Sequence, residues 1–312
     1  MKIIGAGMAG LIAANYFRKS FPTVYEKQPN LPINHQALLR FKNDNISKMV
    51  GIPFKKVFVR KALIHDTSFV DEPNIYCANS YSLKTNGKIL DRSVWDLTPD
   101  HRWIAPIDFS AELAKGLDIR LNSPVSMEGR KDLTISTIPM PIMMNYVGWE
   151  LPKFEYKSIW VISAQIKNMD IDVCQTIYFS SLLVPYYRAS LIGQRLIIEL
   201  VSDWGLNSED SPNQIVDEVL DYFSIPTGFS ETDILVKEQK YGKIIPISED
   251  ERLEFIYTLT KEYDIYSLGR FATWKQIVLD DLIKDLHVIE KLISVENRRS
   301  LYAQNLSSVS HS

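Results

Sequence analysis

Cysteine is scarce in this chain. Cys77 and Cys174 are the only two in 312 residues, far apart and in no CxxC or zinc-ligand spacing. A disulfide framework is not expected, and two reduced thiols in a cytoplasmic protein are the plain reading. No apolar run approaches the ~20 residues that span a bilayer, so no membrane segment is expected. The opening residues, Met1-Lys2-Ile3-Ile4-Gly5, lack the basic stretch, apolar core and small-residue cleavage site of a secretory leader. Neither charge sign dominates: 35 Lys and Arg stand against 38 Asp and Glu, for a formal net charge of −3. That balance gives no global field for nucleic acid, although a local basic groove stays open. Only five histidines occur, and neither a metal-ligand spacing nor a Ser/His/Asp constellation is legible, so no metal is expected. Internal repeats and low-complexity linkers are missing too.

What is present is the texture of a globular protein, 46% hydrophobic and 23% charged, long enough to bury a core unaided. Lys2 to Gly5 reads as a strand, Met8 to Lys19 as a helix and Thr23 to Glu26 as the next strand. This is the start of a parallel α/β unit. Val57 to Ile64 and Asn74 to Leu83 read as strands, with a turn at Asn86-Gly87. Ser110 to Lys115 reads as a short helix. Ile119 to Val125 and Leu133 to Ile138 read as strands. Ser158 to Ile166, Cys174 to Ser181 and Tyr187 to Val201 alternate like strands of an antiparallel sheet, the last broken at Gly193-Gln194.

Ser211-Pro212-Asn213-Gln214 carries a Ser cap, an early Pro and a Gln three residues on, the start of a helix. Ser248 with Glu251 predicts another capping box, on a helix to about Tyr263. Asp264 to Ser267 reads as a strand, and a long amphipathic helix is predicted from Thr273 to Ile293. Residues from Glu296 onward read as a loose tail. The expected layout is discontinuous. Segments 1–56, 96–145 and 236–295 build a parallel α/β domain, 57–95 and 146–235 a β-rich insertion, and 296–312 the tail.

The densest signal is Gly5-Ala6-Gly7-Met8-Ala9-Gly10, a GxGxxG run that follows a strand and opens a helix. Gly5 permits the tight turn, Gly7 lets backbone approach a pyrophosphate, and Gly10 lets helix and strand pack closely. Met8 and Ala9 begin the helix, whose free N–H groups attract phosphate. Glu26 ends the next strand, placed to accept from two ribose hydroxyls and to repel a 2′-phosphate, and Lys27 follows it. The motif alone does not choose between FAD and NAD. No second GxGxxG is visible, so a separate NADPH domain is not expected.

A second strand–turn–helix lies late in the chain, at Ile265-Tyr266-Ser267-Leu268-Gly269-Arg270-Phe271-Ala272-Thr273-Trp274-Lys275, with Asp280-Asp281-Leu282-Ile283 beyond it. Arg270 is placed either to pair with a phosphate or to cap a surface turn.

Together the two ends resemble the glutathione-reductase-type FAD fold, in the branch of amine oxidases, protoporphyrinogen oxidases and UDP-galactopyranose mutases. The late segment of the mutases reads much like GRxGTYKYxxMDxVI. This chain matches at Gly269-Arg270, Thr273-Trp274-Lys275, Asp280 and Leu282-Ile283. The resemblance implies a Rossmann-like FAD/NAD(P)-binding α/β domain with a parallel sheet, plus an inserted antiparallel β-rich substrate domain, and it implies FAD as cofactor. It places Gly269 and Arg270 at the pyrophosphate, Thr273 and Trp274 near the flavin, and Val125 in the strand that holds the adenine. Ile135-Ser136-Thr137-Ile138-Pro139 resembles the strand returning to the cofactor domain. Beside the flavin the family usually carries a Gly-Gly turn, where this chain has Pro29-Asn30-Leu31-Pro32-Ile33-Asn34-His35-Gln36.

The chemistry implied is that of a flavin-dependent oxidoreductase of amine-oxidase type, oxidising a C–N or C–O bond of a small-molecule or nucleotide-linked substrate. The alternative is a non-redox mutase acting on a nucleotide sugar, which needs cations for a diphosphate; Arg188 and Arg195 are the candidates. Pro185-Tyr186-Tyr187-Arg188 combines stacking surface with charge, though an amphipathic edge strand explains it as well. His35 is a further candidate near the substrate. The Lys-, Asn- and Ile-rich texture also resembles phage flavoproteins, some of which tailor modified nucleotides or DNA-linked amines; a basic face beside the cleft would fit that reading. Oligomeric state is not legible.

Overall fold

Ile3 and Ile4 are buried in the first strand, β1 (Lys2–Ile4), and Val24 in the second, β2 (Thr23–Tyr25). Strands covered on both faces belong in a parallel sheet sandwiched by helices. The computed structural model, which describes residues 1–31, 38–90, 93–124, 133–167, 170–201, 211–226 and 234–309, with side chains to 295, places them there. With β7 (Asp118–Arg120), β8 (Thr134–Ser136) and β14 (Ile265–Ser267) they form a five-stranded sheet in the order β14-β8-β1-β2-β7. Every pairing in it is parallel. Both ends of the chain therefore contribute to one sheet.

Helix α1 (Met8–Tyr16) buries Gly10, Leu11, Ile12, Ala13 and Ala14 in succession, so it has no polar face to present. It is enclosed between the sheet, the short helix α4 (Phe109–Ala114) and the C-terminal helix α8 (Leu282–Val309). Between α1 and α4 come α2 (Asn45–Val50) and α3 (Ile75–Asn86). After α4 come α5 (Met140–Tyr146), α6 (Pro212–Tyr222) and α7 (Glu249–Tyr263).

The second sheet holds nine strands. Its path is β13 (Leu235–Ile245), β9 (Glu155–Gln165), β12 (Arg195–Val201), β11 (Tyr186–Gly193), β10 (Ile171–Phe179), β4 (Lys55–His65), β6 (Asp100–Ile104) and β3 (Arg40–Phe41), with β5 (Ser68–Phe69) beside β4. It is antiparallel except between β4 and β10, which run parallel. One face packs against α6 through Ile215, Val216, Val219 and Leu220. The other packs against α3 through Cys77, Ala78 and Tyr81.

Several expectations are corrected. Asn74 to Leu83 is not a strand but most of α3, because the Asn74 side chain caps the helix by accepting from the Cys77 N–H at 3.0 Å. The alternation there misleads because α3 turns Ser82, Lys84, Thr85 and Asn86 inward and leaves Ile75 and Tyr76 exposed. Gly87, with φ +75°, ends that helix rather than a hairpin. The Ser211 capping box forms, but Ser248 makes no side-chain cap; Glu249 pairs with Arg252 at that helix start instead. The last helix begins at Leu282 rather than Thr273, because Trp274 sits at φ +44°, outside helical space. It then runs to Val309, through most of the expected tail. Strands β3, β6 and β13 join the second sheet, so that sheet draws on segments expected to serve the parallel domain alone.

Candidate functional site: a cleft at the carboxyl ends of the parallel strands

The chain leaves β1 toward β2 on one side of it and finds β8 on the other, which makes the end of β1 the topological switch point. Ligands of open α/β sheets settle at such points. A cleft of about 240 Å³ opens there, walled by Gly5, Gly7, Tyr25, Glu26, Lys27, Ser123, Pro124, Thr137, Ile138, Pro139, Ile142 and Tyr146.

The three glycines meet different surroundings. Gly5 has φ +95°, and a Cβ on it would lie 2.5 Å from Thr137 Oγ1. A Cβ on Gly10 would lie 1.9 Å from the carbonyl oxygen of Gly5, so only glycine lets α1 approach β1 this closely. A Cβ on Gly7 would meet nothing within 4 Å. The space it would enter is the exposed mouth of the cleft in front of α1. No side chain caps α1, so its first-turn N–H groups, from Met8 and Ala9 onward, remain for a phosphate.

Glu26 is held, half-buried, at the rim. Its carboxylate accepts from the Ala6 N–H at 2.9 Å and from the Gln28 N–H at 3.0 Å. Its backbone is fixed between β7 and the chain that follows, donating to the Arg120 carbonyl and accepting from the Ser123 N–H, both at 2.9 Å. A carboxylate gripped at this depth leaves acceptor capacity toward the cleft for a ribose diol. Lys27 is exposed beside it. Val125 and His35 lie outside the described residues, while Ser123 and Pro124 line the cleft.

The late turn packs onto the early one. Gly269, at φ +89°, is so close to α1 that its Cβ would meet the Ala9 Cβ at 2.9 Å. Arg270 does not line the cleft. Its Nη2 donates to the Gly242 carbonyl of β13 at 3.2 Å, and its guanidinium lies 5.7 Å from the Phe271 ring. It therefore ties the late turn to the second sheet. Thr273 closes the turn by donating to the Gly269 carbonyl at 2.9 Å. Trp274 is fully buried, with Nε1–H donating to the Ile245 carbonyl, so it supports the turn from beneath and presents no surface to a ligand.

The substrate candidates Tyr187, Arg188 and Arg195 lie on neighbouring strands of the second sheet, β11 and β12. Arg188 is paired across strands with Glu199 in a two-toothed ion pair. Burial opposes charge on both partners, but each holds the other ionised: Glu199 is lowered and Arg188 raised well above its ordinary value. Arg188 therefore serves Glu199 first. Tyr187 is fully buried, with Lys243 over its ring at 4.4 Å, and burial pushes its phenol well above the ordinary value. Arg195 shares β12 with Glu199, four residues away and so on the same face, and burial lowers its pKa.

Sequence reasoning missed Arg40 and Lys243. Both bear electrostatically on Glu199, and Arg40 Nη1 donates to Thr176 Oγ1 at 2.7 Å. Only the long-range pairing of β3 and β13 into the second sheet brings them here. The fold also joins three residues that no spacing suggested. Ser180 Oγ lies 2.9 Å from His65 Nδ1, whose Nε2 is 3.7 Å from Asp66. Ser180 is fully buried and donates to the Ile64 carbonyl, so the trio is structural rather than nucleophilic. Among the described residues no group of His, Cys, Asp and Glu is arranged to hold a metal ion, and no helix is long and apolar enough to cross a membrane.

A glycine turn at a switch point, an acid at the end of the next strand and a second, mostly antiparallel sheet define an α/β fold of the dinucleotide-binding type. No family model and no curated protein matches the sequence. Solved structures do match. Reduced UDP-galactopyranose mutase is 13% identical, with 94% of this chain and 93% of that one covered at a TM-score of 0.63. A protein assigned as a protoporphyrinogen oxidase from Exiguobacterium sp. is 11% identical, with 93% and 98% covered at 0.59. A fatty acid isomerase from P. acnes is 13% identical, with 94% and 97% covered at 0.58. The chain thus shares its fold with these solved proteins.

Proposed function

We propose that this chain binds FAD in the cleft and acts as an FAD-dependent oxidoreductase of amine-oxidase type. The observation that carries the reading is the pairing of Gly7, open in front of an uncapped helix, with Glu26, gripped at the end of β2. These residues fit the ADP half of the cofactor: α1 takes the pyrophosphate and Glu26 the ribose hydroxyls. Ser123 and Pro124 border the adenine, and Thr137 fixes the floor by donating to the Ile4 carbonyl. Bound flavin would supply the hydride acceptor. The protein's part is to orient a C–N or C–O bond and to exclude water at the junction where Arg270 ties the two sheets.

The second reading is a non-redox mutase acting on a nucleotide sugar. It is favoured by the charge near Glu199, on which Arg40, Arg188 and Lys243 all bear. That surplus suits an anionic, nucleotide-linked substrate under either reading.

Anaerobic titration of the flavin-loaded protein separates the two. Bleaching of the flavin by an amine or alcohol, reversed by air, supports the oxidoreductase. A flavin inert to both, which after dithionite reduction interconverts a nucleotide sugar without net oxidation, rejects it in favour of the mutase.

A further inference from the structure

Strand β4 carries no acidic residue, and four of its first seven positions, Lys55, Lys56, Arg60 and Lys61, are basic. Alternation divides the strand between two faces. Val57 and Val59 turn inward onto Ile104 and Cys174, and Lys56, Phe58 and Arg60 turn outward. Pairing with β6 sets Trp103 opposite Lys56 and His101 opposite Phe58. Residues directly opposite share a face. The outer face of these two strands therefore alternates cation and ring along β4, and again across to β6. Lys56, Arg60 and His101 are exposed, and Phe58 and Trp103 are half-buried. The Lys56 ammonium lies 5.3 Å from the centre of the Trp103 ring, and the Arg60 guanidinium 5.3 Å from that of Phe58. Phe58 and His101 meet edge to face at 5.2 Å. The acids of the neighbouring strands stand on the other face. Asp100, opposite Val59, pairs with Arg102, and Asp172, two residues before the inward Cys174, approaches Lys55. Farther along β4 the outer face passes under the α6 core at Ala62 and Ile64, so the open stretch is bounded.

We propose that this face binds single-stranded nucleic acid, with phosphates on Lys56 and Arg60 and bases stacked on Phe58 and Trp103. Charge selects an anion: the chain carries a net −3, yet among the described residues of β4, β6 and β10 this face holds cations and no acid. The rings select among anions. Unpaired bases stack on aromatic side chains and on guanidinium planes, whereas the bases of a duplex are already stacked on one another. A base that settles here extends a cation–π stack that is already built. The assignment stands on the sheet face alone and does not depend on what the cleft binds.

The test is fluorescence anisotropy of a labelled oligothymidylate of about 15 nucleotides, titrated with the full-length protein in saturating FAD so that the cleft does not compete for the strand. The expected result is binding that weakens as salt rises and that a duplex of the same length does not match. Lys56→Gln with Arg60→Gln is expected to weaken binding at least tenfold. It should also make the salt slope shallower by about 1.4, the loss of two phosphate contacts. Phe58→Leu, which keeps an apolar side chain, is expected to weaken binding at least fivefold and to leave the slope unchanged. No binding at low salt, or a duplex held as tightly, overturns single-strand recognition. Binding that survives the double substitution, or that Phe58→Leu leaves unchanged, overturns its placement on this face.

Discussion

The Cβ of Ala9 would meet a Cβ on Gly269 at 2.9 Å, so the first and last turns of the parallel domain touch with no room for another carbon. Ala9 opens α1, and Gly269 follows β14 at φ +89°. Gly269→Ala therefore meets both a strained backbone and an overpacked contact. It is expected to cost about 2–4 kcal/mol of stability, read by urea unfolding. A loss below about 0.5 kcal/mol would show that the two turns can separate freely.

Gly7 and Gly10 sit in one motif but do different jobs. A side chain on Gly10 meets the Gly5 carbonyl at 1.9 Å, whereas one on Gly7 meets no protein atom within 4 Å. Gly10→Ala is expected to lower the melting temperature markedly. Gly7→Ala, at an ordinary φ of −70°, is expected to leave it within about 0.5 kcal/mol of wild type. FAD affinity is expected to fall with Gly7→Ala by roughly tenfold or more, about 1.4 kcal/mol. Fluorescence titration beside a thermal melt separates the effects. An unstable Gly7→Ala with normal affinity would contradict the assignment.

Arg188 holds Glu199 where burial disfavours its charge. Removing it strands the carboxylate, though Arg40 and Lys243 remain near. Arg188→Ala is expected to cost about 3 kcal/mol. Arg188→Met with Glu199→Leu is expected to recover most of that loss, because the stranded charge goes with its partner. An additive double loss in chemical denaturation would mean the pair is not coupled.

Lys84 is the most deeply buried amine described. It donates to the Ser181 and Tyr186 carbonyls at 2.6 Å and to that of Phe179 at 3.3 Å, and burial lowers its pKa to about 7 from 10.5. A base whose pKa falls on folding binds more protons unfolded between those values, so stability rises with pH across that window. The penalty is full below about pH 7 and is relieved toward 10.5. Unfolding free energies of wild type and Lys84→Met, compared from pH 6.5 to about 9.5, are expected to diverge in favour of wild type as pH rises. A constant difference would show that the three carbonyls keep the amine charged throughout.

The cofactor half of the fold was readable because its determinants are local. Gly5, Gly7, Gly10 and Glu26 lie within one strand–turn–helix–strand unit, and Gly5 and Gly10 each stand where a Cβ would collide. The helix at Ile75–Asn86 was misread because it buries Lys84, Thr85 and Asn86, polar groups that answer to partners distant in sequence. Trp274 matched a motif by type, yet its positive φ turns it into the core. Arg40, Lys243 and Glu199 meet only through sheet pairings between distant segments. No local spacing announces such a junction.

The most direct test of the account is a visible absorbance spectrum of the purified protein, before and after incubation with FAD and removal of the excess. Wild type is expected to retain a flavin spectrum, and Glu26→Gln to lose about 1–3 kcal/mol of FAD affinity. A colourless protein that retains no added FAD would contradict it.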